Sequence, residues 1–199
     1  MKILALELST ARGSLAWVDG EIEFTREWPN DRKSSAPFFE NLQNVRRKFG
    51  VPGRIIVGLG PGSYAGTRIA ISAAIGLQLS CEADLIGYPS ICAMESDAQE
   101  YCVLGDARRK SFFFARVLGN GLVEGPALFS EPDLKAKVES LGATMPVFSS
   151  ELLPQFGPAV IRYPSALVLA RLPEEPRRSF SSPPLEPIYL REPHTTISK

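Results

Sequence analysis

The chain has 199 residues, 44% of them hydrophobic, which suits one large globular domain or two small ones. Its 22 basic and 22 acidic residues give no net charge, whereas a protein that grips nucleic acid alone usually carries a basic excess. No apolar run approaches the roughly 20 residues of a membrane-spanning helix. One histidine, His194, and three cysteines without a Cys-x-x-Cys pair argue against an ordinary zinc site, so we expect no metal. The thiols and the early Glu7 predict a cytoplasmic protein.

The first part of the chain predicts three strands followed by alternating helices and strands. Residues 2–8, 13–18 and 21–28 carry strand patterns, and Asp19-Gly20 is a strong hairpin signal. A helix is predicted from Ser34 or Ser35 to about Phe49. The remaining predicted elements are a strand at 54–59, a helix at 63–80, a strand at 83–86 and a helix capped near Ser90.

A second, shorter set of elements follows. Strands are predicted at 101–104, 111–117 and 145–148, a tight turn at Asn120-Gly121, and a helix at 131–141. Beyond Leu172 the chain holds six prolines, so this tail is expected to be either extended and packed or disordered.

This order predicts an α/β fold of the actin-like (ASKHA, ribonuclease-H-like) class with two lobes, the second small. We assign residues 1–99 to the first lobe, which the tail packs against, and 100–172 to the second. Residues 173–199 form a Pro-rich tail with a Pro-x-Tyr-Leu-Arg motif.

A glycine-rich turn at residues 58–66 is the most informative stretch of the chain. It follows a buried strand and opens a helix, as in a phosphate loop, but no lysine follows Gly66 as a Walker A motif requires. The Gly-x-Gly-x-x-Gly fingerprint also fails, because Ser63 stands at its third glycine. Small residues after the turn make one side of the helix thin. This favours close packing or docking over phosphate binding.

Two hairpins could hold phosphate in an active actin-like protein. In the first, Ser9 and Thr10 offer hydroxyls for a vestigial phosphate contact, or simply satisfy the amides of their own turn. In the second, 106–110, long cationic side chains replace the expected glycines, and an Asp106–arginine pair would fix the turn. The second lobe is also short for an adenine pocket.

Four segments, in order along the chain, resemble the TsaB (YeaZ) family. They are Ile3-Leu4-Ala5-Leu6-Glu7-Leu8-Ser9-Thr10, Gly60-Pro61-Gly62-Ser63-Tyr64-Ala65-Gly66-Thr67-Arg68-Ile69, Asp106-Ala107-Arg108-Arg109 and Pro187-Ile188-Tyr189-Leu190-Arg191. The turn Gly60, Pro61, Gly62 and Ser63 belongs to the most specific of them. The chain departs from the family pattern at Glu7, where aspartate is usual, and at Lys33-Ser34-Ser35, where His-Ser is usual.

The resemblance implies a non-catalytic subunit of the system that adds threonylcarbamoyl to adenosine 37 of tRNA. Its implied partners are the catalytic subunit TsaD and the ATPase TsaE, with indirect tRNA contact and a homodimer in isolation. It implies no cofactor of its own, apart from a nucleotide at the partner interface. The helices at 34–49 and 63–80 would dock, and the residues we assign to that interface are Phe38, Leu42, Val45, Tyr64, Thr67, Arg68, Ile71, Ala73 and Gly76.

The sequence leaves two enzymatic alternatives open. An actin-like ATP-dependent phosphotransferase acting on a small metabolite needs two phosphate turns, and the second hairpin is a poor one. A peptidase is implied only by an older glycoprotease label of TsaD relatives, and the chain lacks paired histidines.

Overall fold

Two five-stranded sheets form the framework of the protein in a computed structural model, which describes residues 1–30, 34–142, 144–157, 159–172 and 184–191. The strands of the first sheet are β1 (Ile3–Glu7), β2 (Arg12–Asp19), β3 (Ile22–Pro29), β4 (Arg54–Gly58) and β5 (Asp84–Tyr88). Their order is β3-β2-β1-β4-β5, with β1, β2 and β3 antiparallel and β4 and β5 parallel to β1. Helices α1 (Ala36–Phe49) and α2 (Tyr64–Cys81) connect β3 to β4 and β4 to β5.

The second sheet repeats this topology. Its strands are β6 (Glu100–Asp106), β7 (Ser111–Leu118), β8 (Gly121–Ser130), β9 (Val147–Ser149) and β10 (Val160–Ile161). They are ordered β10-β9-β6-β7-β8, again a meander followed by parallel strands. Helices α3 (Glu131–Ser140) and α4 (Ala166–Arg171) complete the set. The predicted actin-like α/β class is confirmed, and the lobe boundaries stay a prediction.

Side-chain alternation along the strands divides the interior into three cores. In β1, Leu4 and Leu6 face α1 and α2, whereas Ala5 points to the opposite side of the sheet. That opposite side joins the inner face of the second sheet and α4 in a middle core. The third core lies between the outer face of the second sheet and α3, around Phe114 and Leu134. The two sheets are therefore joined by shared packing.

Several elements differ from the sequence-based expectation. The helix expected after Ser90 is only a buried 3₁₀ turn, Ser90–Ala93. The strand β8 was missed because Gly125-Pro126 interrupts it, and proline inside a run argues against a strand. The elements β10 and α4 were missed because they have two and six residues, too few to show periodicity.

The cysteines are unpaired thiols, and part of the C-terminal tail is packed against the first core. All three cysteines are free thiols, and burial raises the pKa of Cys92 to about 12. Residues 184–191 are packed without helix or strand, and Leu185 is buried in the first core. Residues 173–183 and 192–199, with His194 and four of the six prolines, lie outside the described residues, as does Lys33. No helix among the described residues is long and apolar enough to cross a membrane.

The inner face of α1 corrects part of the predicted interface. Phe38, Leu42 and Val45 were assigned to partner contact, but all three are buried in the first core. Phe38 also packs its ring 6.3 Å from that of Trp28. The helical spacing of these residues reflects packing on the chain's own sheet, so their side chains cannot form the docking surface in this structure.

This burial makes a matched pair of variants informative. Phe38 is 1% exposed and its neighbour Phe39 is 49% exposed. We expect Phe38→Ala to lower the free energy of unfolding by about 3–5 kcal/mol, because it leaves a cavity in the core. Phe39→Ala should change it by less than about 1 kcal/mol. Urea unfolding followed by circular dichroism measures both, and equal losses would contradict the assignment of Phe38 to the core.

Candidate functional site

The glycine turn joins β4 to α2 as a tightly hydrogen-bonded bend. Gly60 has φ +89°, in the left-handed region that favours glycine, and its amide donates to Ser90 Oγ at 2.9 Å. The peptide bond between Gly60 and Pro61 is cis. Ser63 is the N-cap of α2, as predicted, and its hydroxyl accepts from the amide of Gly66 at 3.2 Å.

The other glycines of the turn allow the start of α2 to lie against the end of β1. The amide of Ser63 donates to the carbonyl of Ser9 at 2.6 Å. A Cβ at Gly62 would lie 2.0 Å from that carbonyl oxygen, and one at Gly66 would lie 2.1 Å from the carbonyl oxygen of Leu8. Both glycines are therefore needed for contact between two backbone segments, which favours the packing interpretation over a phosphate cradle.

Glu7 lies completely buried at the end of β1, where its family-like segment departs from the usual aspartate. The amide of Ser9 donates to its Oε1 at 2.6 Å. A Cβ at Gly58 would lie 1.8 Å from Glu7 Oε2, so this glycine leaves room for the longer carboxylic side chain. Burial raises the pKa of Glu7 above its ordinary value of 4.5, while the Ser9 and Ser90 hydroxyls and the Ser9 amide act in the opposite direction.

Of the two predicted vestigial phosphate residues, Thr10 is engaged within its own hairpin. Thr10 Oγ1 donates to the carbonyl of Arg12 at 3.0 Å and accepts from its amide at 3.3 Å. Asn30 Nδ2 donates to the carbonyls of Leu8 and Thr10. Ser9 is buried beside Glu7. Phosphate contact by Ser9 or Thr10 stays a prediction, and the geometry assigns Thr10 the turn-satisfying role.

The second hairpin, between β6 and β7, is held by a local ion pair. Arg108 donates from its amide to Asp106 Oδ1 at 2.6 Å and from Nη1 to Oδ2 at 2.9 Å. This confirms the expected Asp106–arginine pair. Arg108, Arg109 and Lys110 all have positive φ between 53° and 66°. These three cationic residues occupy left-handed positions that glycine adopts most readily.

A cleft of about 750 Å³ separates the glycine turn from the second hairpin. Residues 184–191, which we call the C-terminal strap, cross between the two lobes and form one of its walls. The amide of Ile188 donates to the carbonyl of Leu59 in the first lobe at 2.8 Å. Arg191 donates to the hydroxyl of Ser111 in the second lobe. Tyr189 packs on Tyr64 of α2, with ring centroids 5.3 Å apart.

The remaining predicted interface residues divide between the two sides of α2. Thr67 and Ile71 are buried and Ala73 is half-buried, so the first two are also corrected from surface to interior positions. Tyr64, Arg68 and Gly76 are exposed, and a Cβ at Gly76 would meet no atom within 4 Å. The exposed side of α2, defined as Ala65, Arg68, Ser72, Ile75, Gly76 and Leu79, is the thin helical face.

Metal ligands were not expected, and the described residues contain no group of three or more His, Cys, Asp and Glu side chains placed to hold an ion.

The cleft residues Glu151 and Tyr189 were not predicted as site residues. Tyr189 stood in a quoted family motif, but Glu151 follows a three-residue strand and carried no signal of its own.

The family model for TsaD, the tRNA N6-adenosine threonylcarbamoyltransferase, matches residues 40–130. A solved Pseudomonas aeruginosa protein described as uncharacterised, with similarity to peptidase YEAZ, is similar over 96% of this chain and 99% of its own, at 18% identity and a TM-score of 0.75. YeaZ from Pseudomonas aeruginosa is similar over 84% of this chain and 88% of its own, at 18% identity and a TM-score of 0.67. No curated protein sequence matches the chain.

These comparisons show that the chain shares its α/β fold with the solved YeaZ structures. The resemblance predicted from sequence is confirmed as a shared fold over nearly the whole chain. The matched family model covers somewhat less than half of the chain and describes an enzyme that modifies tRNA.

Two glycines of α2 test whether the helix start is packed as described. We expect Gly66→Ala to lower the free energy of unfolding by about 1–3 kcal/mol, because its methyl group would overlap the Leu8 carbonyl. Gly76→Ala should raise it by about 0.5–1 kcal/mol, since its side is open and alanine favours helix. Chemical denaturation measures both. A stabilising Gly66→Ala would show that the backbones are not in contact there.

The buried Glu7 gives a dependence of stability on pH. Its raised folded-state pKa means that the folded chain keeps a proton that the unfolded chain loses, so its contribution falls as pH rises above about 4.5. Glu7→Gln has no such proton. We therefore expect its free energy of unfolding, relative to the natural chain, to increase as pH rises above about 4.5.

Glu23 provides a control of opposite sign. Its hydrogen bond to Arg171 lowers its pKa, so its contribution is present above its unfolded pKa and is lost as pH falls. The Glu23→Gln difference should therefore move in the other direction. Unfolding curves at several pH values measure both differences. If the free energy of unfolding of Glu7→Gln changed with pH as that of the natural chain does, the raised pKa would be contradicted.

Proposed function

We propose that this chain is a non-catalytic partner subunit in the threonylcarbamoyl modification of adenosine 37 in tRNA. It binds a TsaD-like catalytic subunit and works with a TsaE-like ATPase. The support is the likeness to YeaZ structures over most of the chain, together with the partial match to the threonylcarbamoyltransferase family model. In this proposal the protein is cytoplasmic, has no cofactor of its own, and contacts tRNA only indirectly.

The observation that carries the docking role is the apolar surface of α1 and α2. Ile75 and Leu79 project from the thin helical face, and Leu79 is 81% exposed. Phe39 and Val51 are also exposed and line a groove of about 750 Å³ beside α1, with Leu77 of α2 at its edge. Exposed apolar side chains concentrated in this way are typical of protein-protein contact sites.

The charge pattern of this surface suits docking to another protein. Between Arg68 and Glu82, α2 carries no charged residue, so its outer side can be desolvated at little electrostatic cost. Arg46 and Arg47 line the groove beside α1 and give it a cationic edge. An apolar centre with a charged rim resembles the anatomy of protein interfaces. The same surface supports a homodimer when the partner is absent.

The geometry of the glycine turn favours a subunit without its own phosphotransferase chemistry. Gly62 and Gly66 are used for contact with the carbonyls of Ser9 and Leu8, and the opposing hairpin carries three cationic residues in its turn. These features argue against the two facing phosphate turns that the alternative phosphotransferase would require. Turnover of Mg-ATP by the isolated chain would revive that alternative.

A charge placed on the thin helical face tests the docking role. We expect Leu79→Glu to weaken co-purification with the TsaD-like subunit of the same genome by about tenfold or more, because a carboxylate would be buried in the apolar contact. Binding affinity is measured by calorimetry after co-expression establishes the complex.

Ile22→Glu is the matched control. Ile22 is 55% exposed at the β2–β3 hairpin and does not line the groove beside α1, so the same chemical change should leave binding unaltered. Both variants should keep the natural circular dichroism spectrum. Undiminished binding by a folded Leu79→Glu would remove this surface from the interface.

A further inference from the structure

We propose that the docking surface continues from the thin helical face onto the C-terminal strap, where Arg68, Tyr64 and Tyr189 hold a carboxylate side chain of the partner protein. We call these three residues the arginine–tyrosine cluster. The inference rests on the proposed docking function and deepens it, because it names the chemistry that the partner must present and adds the strap to the contact surface.

The helical spacing of α2 places Arg68 on the same stripe as the exposed apolar residues. Four exposed residues recur at intervals of four, three and four positions, which is the repeat of one helical face: Arg68, Ser72, Ile75 and Leu79. At a rise of about 1.5 Å per residue the stripe is about 17 Å long. Its Arg68 end lies next to the strap, because Tyr64, one turn earlier, packs on Tyr189. A protein docked along the stripe therefore reaches the cluster.

The guanidinium group of Arg68 is held in place by the tyrosine one helical turn before it. Its central carbon lies 5.0 Å from the centroid of the Tyr64 ring, and its Nη1 donates to the Tyr64 hydroxyl at 2.7 Å. Tyr189 supports this arrangement from the strap, with its ring centroid 5.3 Å from that of Tyr64. A side chain that is already ordered loses less rotational freedom on binding, which favours affinity.

The remaining donors of Arg68 are available for an acceptor. Among the described residues, no carboxylate forms an ion pair with Arg68, and its Nε and Nη2 donors have no hydrogen-bond partner. Other arginines of the chain do have carboxylate partners: Arg54, Arg108, Arg116 and Arg171. The Nε and Nη2 edge of a guanidinium group pairs with a carboxylate through two parallel hydrogen bonds. Arg68 therefore has the geometry to bind an aspartate or glutamate from outside the chain.

The surroundings of the cluster favour a protein as the source of this carboxylate. Tyrosine and arginine are enriched among the residues that dominate protein-protein binding. Tyr64 and Tyr189 are 46% and 43% exposed, so the apolar part of a partner side chain can pack on their rings. Arg68 is the one charged residue of α2, whereas a nucleic-acid backbone binds to several cations together. A single carboxylate beside an apolar contact fits this pattern better than a row of phosphates.

The strap fixes the position of Tyr189 through contacts on both sides of it. Leu185 is buried in the first core, and the amide of Ile188 donates to the carbonyl of Leu59 at 2.8 Å. On the other side, Leu190 packs against the middle core. Because Tyr189 lies between these anchors, its ring is held against α2. The strap is thus part of the interface, although it belongs to neither docking helix.

Calorimetric titration of the full chain with the TsaD-like subunit of the same genome tests the ion pair. We expect Arg68→Gln to weaken binding about tenfold at low salt, and this difference to shrink as salt rises from about 0.05 M to about 0.5 M. Arg68→Lys should lie between the two, because it keeps the charge but loses the planar pair of donors. Arg162→Gln is the matched control at the end of β10, and should bind as the natural chain does.

A charge exchange tests whether the partner group is a carboxylate. We expect Arg68→Glu to weaken binding by about a hundredfold or more, because two carboxylates would then face each other. Changing one aspartate or glutamate of the partner to arginine should restore the affinity of this variant to within about tenfold of the natural pair. If no such exchange restores binding, the partner group is not a carboxylate.

Two substitutions of Tyr189 test the contribution of the strap. Tyr189→Ala should weaken binding about fivefold, whereas Tyr189→Phe, which keeps the ring on Tyr64, should have no effect. Because Tyr189 acts through Arg68, adding Tyr189→Ala to Arg68→Gln should cause no further loss. A loss of the same size in both backgrounds would show that Tyr189 does not position Arg68. Each variant should keep the natural circular dichroism spectrum.

The outcomes separate this inference from the function on which it rests. Absence of any complex with the natural chain would overturn both. A complex that is weakened by Leu79→Glu but binds every folded cluster variant with unchanged affinity would overturn this inference alone. A loss of affinity that requires tRNA, or that is confined to self-association of the chain, would also overturn it, because the cluster would then hold a phosphate or a second copy.

Discussion

The contact between the end of β1 and the start of α2 is the constraint on which the rest of this structure depends. Two backbone segments approach so closely that neither Gly62 nor Gly66 has room for a Cβ, and the Ser63 amide is hydrogen-bonded to the Ser9 carbonyl. This contact sets where α2 begins. The glycine turn, whose sequence resembles a phosphate loop, therefore serves internal packing.

Because the start of α2 is fixed, one side of this helix is buried and the other is exposed. The side with Ala70, Ala74 and Leu77 packs into the first core, while the side with Ile75 and Leu79 remains exposed. The same constraint presents Tyr64 at the mouth of the cleft, where the C-terminal strap reaches it through Tyr189. One backbone contact thus positions both the exposed apolar side of α2 and the tyrosine that lines the cleft.

The second lobe shows why some strands of a two-lobed architecture were missed in the sequence. Both sheets have the same strand order, yet β8 is interrupted by Gly125-Pro126 and β10 has only two residues. The repeat is one of backbone topology, carried by different side chains in the two halves. The middle core, shared by both sheets and α4, joins them without requiring similar sequences.

The sequence by itself determined the strands of the first sheet, their two helices, the cap at Ser63 and the pairing of Asp106 with an arginine, because these rest on local periodicity, capping and turn chemistry. It identified the surface helices but placed Phe38, Leu42, Val45, Thr67 and Ile71 on the wrong side of them. A helical stripe shows which residues share a face; only the sheet it packs against decides whether that face is buried. The cleft, likewise, was decided by tertiary structure, since Tyr64, Glu151 and Arg191 are far apart in the chain and meet only when the strap crosses between the lobes.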